Sequence, residues 1–143
     1  MAPLTITALE ALRERLADDT GCDALLAGFA CPAVLRDALR AVVQAQWHGL
    51  QAETAVSQVA DMLRRDQKFA PPGRPSAPLV QLRRQQAAAR QAMLAARQRL
   101  AQASQAFVQA SGLALKAGQP PSEAVAAWLQ AQCAPAGCGR SRP

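Results

Sequence analysis

Apolar residues recur at helical spacing near the start of the chain. Leu9, Leu12 and Leu16 are separated by three and four residues, which places their side chains on one face of a helix. This pattern predicts a helix over residues 7–17, ended by the polar residues that follow it. A short apolar piece over residues 25–29 comes before the next helical pattern. No segment shows the strict alternation that is typical of a β-strand.

The next apolar stripe begins after Pro32 and predicts a helix over residues 32–47. Proline suits the first turn of a helix, because the N–H that it lacks has no partner there in any case. His48 and Gly49 are expected to end this helix. A third helix is predicted over residues 51–66, where apolar side chains again share one face.

Prolines then interrupt the helical pattern. Four prolines lie among residues 70–78, which favours an extended segment over a helix. The predicted organisation is therefore an N-terminal helical unit over residues 1–67, a Pro-rich linker over 68–78, a long basic helix with a C-terminal helix over 79–133, and a flexible tail over 134–143.

The longest predicted element follows the prolines. Residues 79–117 contain no proline and no acidic residue, so they predict one long helix. Gly112 is a candidate site for a kink in this helix, while Lys116 and Gly118 are expected to end it. A last short helix is predicted over residues 122–132. The whole chain is thus predicted to be all-α.

A heptad repeat runs along the long helix and indicates a helix–helix seam. Two alternatives are open, because the seam could be filled by the protein's own helices or could be an interface with another chain. In the second case Leu82, Met93, Leu100 and Phe107 would be the anchors. The a positions are Leu79, Gln86, Met93, Leu100, Phe107 and Ala114, and the d positions are Leu82, Ala89, Ala96, Ala103 and Ala110.

The charge is divided unevenly along the chain. The formal net charge is +6, yet residues 1–66 carry six Arg and nine acidic residues. Residues 67–143 carry ten basic residues and a single acid, Glu123. Any function that depends on positive charge is therefore expected to belong to the second half.

Arginines recur every seven residues on the long helix. Arg83, Arg90 and Arg97 share one heptad column, which continues as Ser104 and Ser111. With no acid on the helix, this column would be neutralised by the acidic N-terminal half, by nucleic-acid phosphates or by an acidic protein. The predicted nucleic-acid-binding residues are Arg83, Arg84, Arg90, Gln91, Arg97, Gln98 and Arg99.

Catalytic motifs are not found in the sequence. His48 is the only histidine, and no phosphate-binding glycine loop occurs. Trp47 and Trp128 are expected to anchor the core. Aromatic residues make up only 3% of the chain, which argues against folds that stack single-stranded bases. Cys22, Cys31, Cys133 and Cys138 fit no zinc motif, so we expect reduced thiols, no metal and no cofactor.

The chain has no run of about 20 apolar residues and no signal-peptide pattern at its start, so we expect a cytoplasmic protein without a membrane partner. Because no catalytic motif is found, we also expect no small-molecule substrate. Its Ala-, Arg- and Gln-rich composition is similar to that of helical accessory proteins of bacteria and phages, and it identifies no family. The leading hypothesis is a non-enzymatic subunit that contacts the nucleic-acid backbone within a larger complex. The alternative is a coiled-coil interaction module that uses the 79–114 seam, such as a secretion chaperone, an adaptor or a structural subunit.

Overall fold

The structure is a computed structural model that describes residues 4–69 and 77–133. Those residues form five helices and no strand, which confirms the all-α prediction. Residues 70–76 of the predicted linker and the whole predicted tail, residues 134–143, lie outside the described residues. The helices are α1 (Ile6–Arg15), α2 (Asp19–Leu25), α3 (Pro32–Phe69), α4 (Ala77–Ser111) and α5 (Pro121–Cys133).

Side-chain caps explain why α1 and α2 begin where they do. Thr5 precedes α1, and its hydroxyl accepts a hydrogen bond from the Ala8 backbone N–H at 3.1 Å. Asp18 caps α2 in the same way, accepting from the Gly21 N–H at 2.8 Å. Position 21 has no space for a side chain, since a Cβ there would lie 1.7 Å from the Arg15 carbonyl oxygen. Asp18 therefore starts α2 three residues after α1 ends at Arg15.

The main core joins all five helices. It contains Leu9 and Leu12 of α1, Phe107 of α4, and Val125 and Leu129 of α5, each at most 2% exposed. It therefore includes residues from both sides of the Pro-rich segment. Its other buried members are Leu16, Cys22, Leu25, Leu26, Leu35, Leu39, Val42 and Val43.

Two long helices, α3 and α4, pack against each other along a hairpin. Their 38 and 35 residues correspond to lengths of about 57 and 53 Å. Far from the main core, Val59 and Leu63 of α3 pack with Leu79 and Leu82 of α4 in a second buried cluster. We call these four residues the distal cluster. Hydrophobic contacts at both ends thus hold α4 against α3.

The prediction that His48 and Gly49 end a helix is wrong, because α3 continues unbroken through both residues to Phe69. A mid-helix glycine costs only about 1 kcal/mol relative to alanine. The apolar side of α3 remains packed beyond this point, with Leu50 against the main core and Val59 in the distal cluster. Burial on both sides of the glycine outweighs that cost.

The predicted end of the long helix is also wrong. The helix ends at Ser111 rather than at Ala117, because Gly112 adopts a φ of 72° and breaks the helical backbone. The Gly112 N–H bonds the Val108 carbonyl at 2.9 Å, as expected just after a helix end. Lys116 and Gly118 instead form a separate turn, in which Gly118 has a φ of 76° and the Gln119 N–H bonds the Lys116 carbonyl.

Substituting two of these glycines by alanine should have opposite effects on stability. Gly49→Ala is expected to stabilise the protein by about 0.5–1 kcal/mol, because the position is helical and a Cβ meets nothing within 4 Å. Gly112→Ala is expected to destabilise it by about 1–2 kcal/mol, since a side chain at positive φ is strained. Urea denaturation of both variants measures the difference. Destabilisation by Gly49→Ala would contradict a continuous α3.

Ion pairs connect α2 to the start of α3. Both oxygens of the Asp23 carboxylate accept from Arg36, at 2.8 Å from Nε and 2.7 Å from Nη2. Asp19 accepts from Arg36 at 3.2 Å and from Arg40 at 2.9 Å. Arg40 also donates from Nε to the Leu16 carbonyl at 2.8 Å, which satisfies an acceptor just after α1. Arg36 and Arg40 of α3 thus connect this helix to α2 and to the end of α1.

This network predicts a pH dependence of stability. The hydrogen bonds from Arg36 hold the pKa of Asp23 below its ordinary value. The pair therefore stabilises the fold above about pH 4, and the contribution is lost as the pH falls through the lower folded-state pKa. We expect Arg36→Gln to destabilise the protein at pH 7, and the gap to wild type to narrow by pH 2.5. The control is Arg15→Gln, at an exposed position without an ion pair among the described residues. A gap that is constant with pH would contradict the assignment.

Candidate functional site

The basic residues of α4 lie on the surface. Arg83, Arg84, Arg90, Arg97 and Arg99 are all exposed. Within residues 4–69 and 77–133, none of them makes an ion pair or a side-chain hydrogen bond. The helix itself has no acidic residue that could neutralise them. Their charge is available to an anionic partner.

Three of these arginines form a straight column. Arg83, Arg90 and Arg97 are spaced seven residues apart, which is about 10.5 Å along the helix axis, so the column spans about 21 Å. The next residue in the column, Ser104, is 0% exposed. The column therefore changes from arginine to serine where it passes from the surface into the protein. Ser104 lies about one helical turn from the main core residue Phe107.

A second polar column adjoins the first. Arg84 directly follows Arg83, and Gln91 and Gln98 continue its column at seven-residue intervals, both exposed. Consecutive residues are about 100° apart around a helix, so the two columns border one continuous surface. We call the surface formed by Arg83, Arg84, Arg90, Gln91, Arg97 and Gln98 the Arg/Gln face.

The structure does not bring Arg99 into this face. It follows Arg97 by two residues, which is about 200° around the helix axis. Its side chain is exposed on the opposite flank of α4. One rigid ligand that contacts the Arg83–Arg97 column therefore does not reach Arg99, although the sequence grouped it with the other arginines.

An exposed leucine lies at the centre of the Arg/Gln face, and the sequence analysis missed it. Leu94 is 56% exposed. Its neighbours at three and four residues on either side are Arg90, Gln91, Arg97 and Gln98, so four polar side chains surround it. Val80, in the same column at the distal end, is 39% exposed. The sequence feature that could have revealed Leu94 is the apolar column that contains Val80 and Leu94 and lies between the two polar columns.

The heptad seam of α4 faces the inside of the protein. Leu79 and Leu82 pack in the distal cluster, while Met93 and Leu100 are half-buried. Phe107 is 0% exposed and is therefore a core residue. Of the two alternatives for the seam, packing between the protein's own helices is the arrangement that the structure shows.

The acids of the N-terminal half that form ion pairs do so with arginines of their own half. Asp19 and Asp23 pair with Arg36 and Arg40, and Asp61 pairs with Arg64 on its own helix. No described acid forms an ion pair with an arginine of α4. The alternative that the N-terminal half neutralises the arginine column is therefore wrong for the described residues. Asp19 and Asp23 are used where α2 packs on α3, and Asp61 is used within α3.

The two tryptophans belong to the packing of the helices, while His48 lies on the surface. Trp47 and Trp128 both pack against the main core, as predicted. The guanidinium of Arg13 lies 4.2 Å from the ring centroid of Trp47, a cation–π contact between α1 and α3. His48 is exposed, and its Nε2 lies 2.9 Å from the Gln44 side-chain nitrogen.

Three of the four cysteines are described, and each is a free thiol. Burial raises the pKa of Cys22, whose sulfur donates a weak hydrogen bond to the Leu16 carbonyl at 3.5 Å. Burial also raises the pKa of Cys133. Cys138 lies outside the described residues. In the part of the chain that the structure describes, no three His, Cys, Asp or Glu side chains are grouped to hold a metal ion.

An open groove of about 640 Å³ lies between α1 and α3. Glu10, Glu14, Arg13 and Arg40 line it, so charges of both signs oppose each other across it. Arg40 is already bonded to Asp19 and the Leu16 carbonyl. The groove therefore presents no strong net charge, in contrast to the Arg/Gln face.

No described helix is long and apolar enough to span a bilayer. Comparison with known proteins found no matching family model, no matching curated protein and no matching solved structure. The chemistry of the Arg/Gln face is therefore the feature from which a function can be inferred.

Proposed function

We propose that this chain is a non-enzymatic helical binding protein that holds the phosphate backbone of a nucleic acid on the Arg/Gln face, as a small subunit of a larger complex. The observation that carries the proposal is the set of exposed arginines on α4 without an ion pair among the described residues. Unneutralised arginines in a row repel each other, and a polyanion is the partner that relieves this repulsion along a whole column.

The residue types of the face suit phosphate recognition. The planar guanidinium of arginine donates two parallel hydrogen bonds to a phosphate, which a lysine ammonium cannot do. Glutamine donates to phosphate oxygens as well. Gln91 and Gln98 therefore extend the donor surface beside Arg90 and Arg97 without adding charge.

The hairpin gives the face a fixed geometry. The distal cluster anchors one end of α4, and Phe107 anchors the other end in the main core. The Arg/Gln face lies between these two anchors. A helix held at both ends loses little freedom when it binds, so more of the electrostatic energy appears as affinity.

Neutralising single arginines on opposite sides of α4 tests the proposal. The four arginines of the Arg/Gln face would each contact one phosphate. Arg97→Gln removes one of these contacts and should weaken duplex binding about eightfold at 0.1 M salt, because one fewer counterion is released. Arg99→Gln makes the same chemical change on the opposite flank and should stay within about twofold of wild type, since neutralising an arginine weakens binding only where that arginine contacts a phosphate. Fluorescence anisotropy with a labelled duplex measures both. Equal losses in the two variants would contradict an assigned face.

A second candidate function is supported by Leu94. An exposed leucine ringed by arginine and glutamine also suits an acidic amphipathic helix of a partner protein, with the leucine as the buried anchor. This interface differs from the predicted one, because it uses the outer face of α4 instead of the heptad seam. Leu94→Gln separates the candidates. Unchanged duplex affinity in this variant favours phosphate binding. If the variant no longer binds a purified partner protein that the wild type binds, the second candidate is favoured.

A further inference from the structure

We infer that the nucleic acid held by the Arg/Gln face is double-stranded and is bound through its phosphates in preference to a single strand. This inference rests on the proposed function and specifies its ligand. Its basis is the combination of a charged face with the placement of the aromatic side chains. Each of these two observations favours a duplex, and the shape of the arginine column adds a third reason.

Charge density is the first argument. A duplex carries one negative charge for about every 1.7 Å of its axis, and a strand on its own carries about half that density. Binding four phosphates releases more counterions from a duplex, with expected salt slopes of about −3.6 for the duplex and −2.8 for a single strand. A face whose binding energy is electrostatic therefore prefers the duplex.

The lack of a stacking surface on α4 is the second argument. Single-strand binders add stacking of bases on exposed aromatic rings, worth about 1–3 kcal/mol per base. The one aromatic residue of α4, Phe107, is 0% exposed. Its ring centroid lies 5.9 Å from that of Phe29 and 5.4 Å from that of Trp128, inside the main core. Leu94 at the centre of the face is aliphatic and offers no ring to a base.

Shape gives a third argument in the same direction. The Arg83–Arg97 column is straight and spans about 21 Å, which matches the length of about six base pairs of duplex at 3.4 Å per pair. The helix that carries it is fixed at both ends by buried residues. A rigid row of charges loses least entropy on a rigid polyanion, whereas a single strand has to be ordered when it binds.

Fluorescence anisotropy with two ligands of equal nucleotide length tests the inference. The probes are a labelled 16-base-pair DNA duplex and labelled oligo-dT of 16 residues, titrated with the full chain between 50 and 400 mM salt. If the two affinities converge near 1 M salt, the different slopes predict that the duplex binds about sixfold more tightly per site at 0.1 M. A duplex preference of this size, with the steeper slope, is the expected result.

Phe69 provides the control for stacking. Among the described phenylalanines and tryptophans, Phe69 is the exposed one. It lies at the end of α3 and is 80% exposed. Phe69→Ala should leave both affinities within about twofold of wild type. Oligo-dT bound as tightly as the duplex, or a loss of affinity in Phe69→Ala, would overturn the inference and leave the proposed function standing. Failure of both ligands to bind at 50 mM salt would overturn both.

Discussion

Reversing the charge of Arg83, Arg90 and Arg97 to glutamate together should reduce duplex affinity by at least about 500-fold at 0.1 M salt. Three lost phosphate contacts account for this factor through counterion release, and repulsion between the new carboxylates and the phosphates adds to it. The three residues are exposed and unpaired within the described chain, and glutamate has a helix propensity close to that of arginine. The variant is therefore expected to remain folded, which circular dichroism checks.

A charge-matched variant isolates the face from the overall charge. Arg15, Arg65 and Arg99 are exposed arginines outside the Arg/Gln face, and reversing them to glutamate changes the net charge by the same amount. This control should lose much less affinity than the Arg83, Arg90 and Arg97 variant. Equal losses in the two variants would mean that total charge, and not a defined surface, governs binding.

Phe107→Ala should destabilise the protein by about 3–5 kcal/mol. The Phe107 side chain is 0% exposed and contacts the rings of Phe29 and Trp128, so its removal leaves a cavity where α4 meets the rest of the main core. The cost is a large part of the roughly 5–15 kcal/mol that typically stabilises a domain. Chemical denaturation followed by tryptophan fluorescence measures it.

Phe69→Ala is the matched control for this prediction, because it truncates the same residue type at an 80% exposed position. Its effect should be within about 0.5 kcal/mol. A loss of less than about 1 kcal/mol in Phe107→Ala would contradict the position of Phe107 in the core. It would also reopen the alternative that the heptad seam is an interface with another chain.

Hydrophobic spacing predicted most of the helices. The structure places α1 over Ile6–Arg15 and α5 over Pro121–Cys133, close to the predicted ranges. Both are short amphipathic segments whose apolar residues face one core. For such elements the local pattern and the tertiary packing agree, and the sequence alone is sufficient.

Both errors in where the long helices end occurred at glycines. Gly49 and Gly112 both looked like weak points in a helical pattern, yet only Gly112 adopts a positive φ and ends its helix. At Gly49 the cost of about 1 kcal/mol is outweighed by contacts that α3 makes with distant parts of the chain. Those contacts are tertiary, so no local pattern distinguishes the two positions.

The candidate site was predictable in its residues but not in its surroundings. The seven-residue spacing of Arg83, Arg90 and Arg97 defined a column, and helical geometry alone separates Arg99 from it. The sequence could not show whether Asp19 and Asp23 neutralise the arginine column, because that depends on which helix α2 packs against. Asp19 and Asp23 are bonded to Arg36 and Arg40, which the sequence did not reveal.

The salt dependence of duplex binding by the wild-type chain tests phosphate binding by the Arg/Gln face. Four phosphate contacts, from Arg83, Arg84, Arg90 and Arg97, predict that the logarithm of the binding constant falls against the logarithm of the salt concentration with a slope of about −3.6. Affinity should then drop about 150-fold between 50 and 200 mM salt. A slope shallower than about −1, or no binding at 50 mM salt, would contradict the account.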